Sequence, residues 1–192
     1  MLRGLYDWTI SLAAGKHAMW ALAIVAFIES SFFPIPPDVL MIPMILATPH
    51  RAFRIAGVAM VASVLGGVLG YAIGAFAFEQ IGQPILENLG KTDKMEAFNE
   101  RFNDVGFWAV LIAGLTPFPY KVITIMSGWT GMPFWTFMIT SILARGGRFF
   151  LVAGLLWKYG PPIREFIEKR LGLMLTLFVA MLLGGVYLVK YL

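Results

Sequence analysis

The sequence predicts an all-α integral membrane protein. Its expected architecture is two inverted repeats, each a re-entrant helical hairpin followed by a transmembrane helix. An amphipathic helix precedes them and a further transmembrane helix follows. Three observations lead there. The 192 residues are 59% hydrophobic and only 14% charged, against roughly half and a quarter in soluble domains. The order short apolar run, break, short run, long run occurs twice. Both breaks carry prolines and an ionisable residue where lipid would surround an ordinary span.

Each element has its own reason. Leu2, Leu5, Trp8 and Leu12 recur at helical steps, so residues 1–16 read as an interfacial helix rather than a cleaved leader. His17–Ile28 and Val39–Ala47 are each about half the ~20 residues a span needs. They form the arms of hairpin 1 (17–49), turning at Pro34 and Pro36. Residues 54–79 are long enough to cross. Residues 80–106 hold the amphipathic stretch "KTDKMEAFNERFND", expected outside the hydrocarbon. Hairpin 2 (107–131) turns at Pro117 and Pro119; residues 134–158 and 173–190 read as further spans. All belong to one membrane domain, 1–192.

The repeat is visible in register. "PIPPDVLMI" (Pro34–Ile42) lies over "PFPYKVITI" (Pro117–Ile125), aligning Pro34 with Pro117, Pro36 with Pro119, and Asp38 with Lys121. A hairpin crosses zero times and a span once, so successive repeats take opposite orientations, as in many transporters. Positive-inside counting places Arg3, Lys16, Arg51, Arg54, Lys158, Arg164, Lys169 and Arg170 on the cytoplasmic side.

Five ionisable residues sit at membrane depth: Glu29, Asp38, Lys121, Arg145 and Arg148. Each would cost about 2.5–3.5 kcal/mol at the centre of a spanning helix unless paired or wetted. Arg145 and Arg148 are three apart and share a helix face. Two guanidiniums can fork onto the oxygens of a phosphate, and Lys121 adds a third cation, although a lysine near a hairpin mouth can also snorkel. Glu29 and Asp38 would balance these cations or carry a proton. The plainer reading is internal ion pairing that locks the hairpins together.

Other features point away from rival classes. The net charge of +4 includes no basic patch interleaved with exposed aromatics, so no nucleic-acid partner is expected. Cysteine is absent. His17 and His50 lie near interfaces, without metal-ligand spacing. An enzyme, a metal site and a cofactor are therefore not expected. Gly66, Gly67, Gly70 and Gly74 read as a stripe for close helix packing.

Across about residues 17–160 the chain resembles the DedA family, also called the SNARE-associated Golgi protein or VTT-domain family. The motifs that carry this are Glu29, Pro34, Pro36 and Asp38, then Pro117, Pro119, Lys121, Ser127 and Gly128, then "ARGGRFFLVAGLL". "TPFPYKVITIMSG" is most similar to the YqaA-like branch. The resemblance implies a multi-pass protein of the bacterial cytoplasmic membrane. It implies flippase- or scramblase-like movement of a phospholipid or undecaprenyl phosphate, coupled to protons in several members. It also implies that the hairpin acids and the following arginines do the work. One departure stands out: Thr116 and Lys121 occupy positions where the family's second turn has basic residues including Arg, which removes a forked phosphate contact there. The expected partners are lipids with phosphate-bearing headgroups, protons and another copy of the chain. The competing expectations are a proton-coupled antiporter for small cations or cationic drugs, and a non-transporting envelope scaffold.

Overall fold

The computed structural model describes residues 17–31, 36–84, 87, 92–116 and 118–160. The interfacial helix at 1–16, the span at 173–190 and the turn prolines Pro34 and Pro117 lie outside the described residues. Every regular element among those described is helical: α1 (Ala18–Ser31), α2 (Asp38–Ala47), α3 (Ala52–Ala77), α4 (Thr92–Leu115), α5 (Tyr120–Trp129) and α6 (Phe134–Tyr159). A short 3₁₀ turn, Pro49–Arg51, leads into α3, and a π-helical turn, Phe78–Gly82, prolongs it.

Lipid can satisfy no backbone group, so a spanning segment must close its own hydrogen bonds. Two helices are long and apolar enough to cross: Pro49–Gly82, with 34 residues, and Phe134–Tyr159, with 26. At 1.5 Å per residue the second is about 39 Å long, more than the ~30 Å hydrocarbon core. The 14 residues of α1 and 10 of α2 are too few to span alone.

Prolines set where the short helices restart. The carbonyl of Pro36 accepts from the Val39 amide at 3.3 Å, and that of Pro37 accepts from Leu40 at 3.0 Å and Met41 at 2.9 Å. Pro119 repeats the device for α5, accepting from Val122 at 3.0 Å. At the far end of α5, Gly131 adopts φ 67°. Its amide reaches the Gly128 carbonyl at 3.1 Å while the Met132 amide reaches that of Ser127 at 2.9 Å. This is a Schellman ending, which favours glycine at the left-handed position.

The second half departs from the expected division at 106/107. The amphipathic stretch and the following apolar run form one unbroken helix, α4. Gly106 does not break it; the side chain of Met132 lies against that glycine.

Helix α3 packs against α1, α5 and α6, and α6 packs in turn against α2 and α4. Glycines permit the closest approaches. A Cβ at Gly66 would collide with the Phe27 carbonyl of α1, and one at Gly74 with the Ile125 carbonyl of α5. Two apolar clusters result. One gathers Leu22, Leu40, Ile45, Ile55, Phe149 and Leu156; the other gathers Val110, Tyr120, Met132 and Phe137. Buried polar residues occur on α3 and α6 at sequence positions between those of the two clusters: Ser63 on α3, Ser141 and Arg145 on α6. Outward, Leu65, Leu69 and Ile73 of α3 and Ile139, Leu143 and Leu151 of α6 remain exposed, an apolar surface suited to lipid.

Gly66→Ala should destabilise the protein by about 1–3 kcal/mol through overpacking. Gly57→Ala, where a Cβ meets nothing within 4 Å, should be neutral or slightly stabilising. Thermal melts in detergent check the pair; equal melting temperatures would contradict this account of the α1–α3 contact.

Candidate functional site

The site begins with α6. Its sequence "ARGGR" puts Arg145 and Arg148 on one helix face, and the fold gives each its own acid. Arg145 Nη2 donates to Glu29 Oε2 at 3.0 Å, and Arg148 Nη2 donates to Asp38 Oδ2 at 2.7 Å. Both pairs run from α6 to the first half of the chain. Glu29 ends α1 and Asp38 opens α2, so the pairs bracket the first break.

The two arginines occupy different environments. Arg145 is 1% exposed. Its guanidinium lies over the rings of Tyr120 and Phe149, 4.8 and 4.6 Å from their centroids, where cation–π attraction replaces part of the lost hydration. Its Nε donates to Ser63 Oγ on α3 at 2.6 Å. Ser63 Oγ is 2.6 Å from Ser30 Oγ, and Ser30 Oγ donates to Glu29 Oε2 at 3.2 Å. Arg148 and Asp38 are 21% and 19% exposed. Arg148 Nη1 donates to the Thr116 carbonyl at 3.0 Å. That carbonyl follows the end of α4, where the second break frees it from helical bonding. One guanidinium therefore ties the start of α2 to the end of α4.

Asp38 takes Arg148, and Lys121 makes no ion pair among the described residues. Lys121 lies in the first turn of α5, a turn without an acid or a side-chain cap. By contrast α2 carries Asp38 in its first turn, where a negative charge suits the helix dipole. Pro36 and Pro119 stand at the starts of these helices.

Sequence reasoning missed the neutral part of the site. Ser31 Oγ lies 2.9 Å from the carbonyls of both Phe27 and Gly66, which share its one proton. Thr124 Oγ1 of α5 donates to the Ser30 carbonyl at 3.2 Å. The fully buried hydroxyls of Tyr120 and Ser141 have no hydrogen-bond partner among the described residues. A serine pair directly after Glu29 in an apolar run was a readable signal for Ser30 and Ser31. Nothing in the sequence singled out Ser63.

The VTT-domain model matches residues 33–158, which takes in Asp38, Lys121, Arg145 and Arg148 and begins just after Glu29. The chain belongs to the VTT-domain (DedA) family. Similar VTT-domain relatives include an uncharacterized protein of Haemophilus influenzae, 39% identical over 85% of this chain and 87% of its own. Another from Histophilus somni is 40% identical over the same shares. An uncharacterized protein of Methanocaldococcus jannaschii is 26% identical over 80% of this chain and 86% of its own. No solved structure matches. Membership makes this VTT-domain chain a membrane protein, consistent with its two long apolar helices.

The unequal burial of the two arginines has a measurable consequence. Arg145→Met should destabilise the folded protein by about 3–5 kcal/mol, because it orphans a carboxylate in a buried network. Arg148→Met, at the less buried pair, should lose less, about 1–3 kcal/mol, because it leaves Asp38 and the Thr116 carbonyl without their donor. Melting of the two variants in detergent gives the comparison, and the reverse order would show that burial does not rank the pairs.

Proposed function

We propose that this protein moves a phosphate-bearing lipid headgroup, such as that of a phospholipid or of undecaprenyl phosphate, across the bacterial cytoplasmic membrane. The observation that carries this reading is the Arg148–Asp38 pair. It is partly exposed, and Arg148 also holds the Thr116 carbonyl. A phosphate can take both of the guanidinium N–H groups now used by Asp38 and Thr116. Lys121 supplies a second, point-like cation from the uncapped start of α5. Arg145 keeps the site cationic from within the core, and Glu29 and Asp38 hold the arginines while no anion is bound. The acyl chains would stay in lipid throughout.

The inverted-repeat reading supports this function. Helix α3 packs against α1, α2 and α5, and α6 against α4 and α2, so each long helix touches elements of both halves, as interlocked repeats would require. The count of basic residues then puts the first hairpin on the cytoplasmic side.

The antiporter reading wants a carboxylate open to a cation, whereas both acids here are engaged by arginines. The scaffold reading draws on the same two ion pairs, since each joins separate elements.

The test is headgroup movement in liposomes holding the purified protein. Labelled phosphatidylethanolamine and a polyprenyl phosphate would be assayed separately, with and without a proton gradient. Wild type should move at least one of them, and Arg148→Ala with Lys121→Ala should reduce the rate by about 100-fold or more, as expected when charged contacts to a desolvated anion are lost. No movement of either lipid by folded wild-type protein would sink the lipid reading and favour the scaffold.

A further inference from the structure

The hydrogen bonds around Arg145 form a closed ring, and its shortest path for the protons runs from Arg145 through Ser63 and Ser30 to Glu29. Arginine Nε only donates, so Ser63 Oγ is the acceptor in their 2.6 Å contact. Ser30 Oγ donates to Glu29 Oε2 at 3.2 Å. A hydroxyl has one proton, so Ser30 has none left for Ser63. The 2.6 Å contact between the two hydroxyls therefore uses the proton of Ser63. Arg145 Nη2 closes the ring on the same Glu29 oxygen at 3.0 Å. Each hydroxyl accepts one bond and donates one, and each lies between a cation and an anion that polarise it in the same sense.

Every member but Glu29 is essentially inaccessible: Ser30 and Ser63 are fully buried and Arg145 nearly so. The ring spans three helices, with Glu29 and Ser30 on α1, Ser63 on α3 and Arg145 on α6. Thr124 of α5 attaches to the Ser30 carbonyl. Ser63 is the only α3 residue in it.

We propose that Ser63, acting with Ser30, is a positioning residue for the transport site. It holds the Arg145 guanidinium in one plane, fixing the rotation of α6 about its axis. Arg148, three residues on along the same helix, is thereby aimed at Asp38 and the second break. Arg145 itself works from behind and leaves contact with the headgroup to Arg148. This assignment rests on the lipid-transport reading, but the ring is testable without it.

The test uses the full-length protein, selectively labelled with ¹⁵N-arginine in detergent micelles. The Arg145 Nε–H signal is assigned by its absence from Arg145→Lys. In wild type this proton should exchange slowly with solvent. Ser63→Ala should speed exchange at least about tenfold, the scale of one lost charge-assisted bond. The same variant should slow headgroup movement by a similar factor, because Arg148 is no longer held toward Asp38. Ser63→Thr, which keeps the hydroxyl, should restore both. The double variant Ser30→Ala with Ser63→Ala should be no worse than Ser63→Ala alone, because members of one ring do not add.

Unchanged Nε–H protection in Ser63→Ala would overturn the ring. Lost protection with an unchanged transport rate would overturn the positioning role. If the alanine variant does not fold, a threonine variant that loses protection would overturn the proposal as well. If wild type moves no lipid, the functional reading fails separately, and the exchange data still decide whether Ser63 holds Arg145.

Discussion

A guanidinium with 1% exposure has to recover inside the protein what it leaves behind in water, and the middle of this fold is arranged around that need. Burial of an isolated charge costs far more than a domain's whole stability margin. Arg145 therefore draws in a carboxylate from α1, a hydroxyl from α3 and an aromatic ring from α5, with Phe149 of its own helix on the other side. Each partner comes from a different element, so the charge is held only when α1, α3, α5 and α6 are all in place. The small-residue contacts at Gly66 and Gly74 bring α3 close enough for this to happen. A larger side chain at Gly66 would push α3 away from α1, and Ser63 from Ser30.

The helix breaks follow a related logic. A chain that stops being helical inside an apolar layer strands carbonyls and amides. The Thr116 carbonyl, freed where α4 ends, is taken up by Arg148, and the start of α2 receives the charge of Asp38. The groups that stabilise the breaks are thus the same groups that could bind an anion. That economy makes the site switchable in principle: whatever occupies Arg148 competes with both breaks at once.

The two ion pairs look alike in a list of contacts and differ in kind. Glu29–Arg145 is sealed between apolar clusters, where its worth lies in holding helices in register. Asp38–Arg148 is the less buried pair, about one-fifth exposed.

Much of the plan was legible in the residues. Composition and run length determined a helical membrane protein, because hydrocarbon accepts little else, and of the three long spans expected the two among the described residues are present. Pro36 and Pro119 marked where α2 and α5 begin, because a residue lacking an N–H fits best at a helix start, although Pro43 is carried inside α2. The three-residue spacing of Arg145 and Arg148 put them on one face. Only the tertiary structure decided which acid each arginine meets, that Asp38 goes to Arg148 rather than Lys121, and that α4 runs unbroken through Gly106. It alone brought Ser30 and Ser63 together from positions 33 residues apart. Periodicity reports what lies along one helix, whereas pairing across helices depends on where they cross. A lone serine in an apolar helix carries no mark of the buried charge it will face.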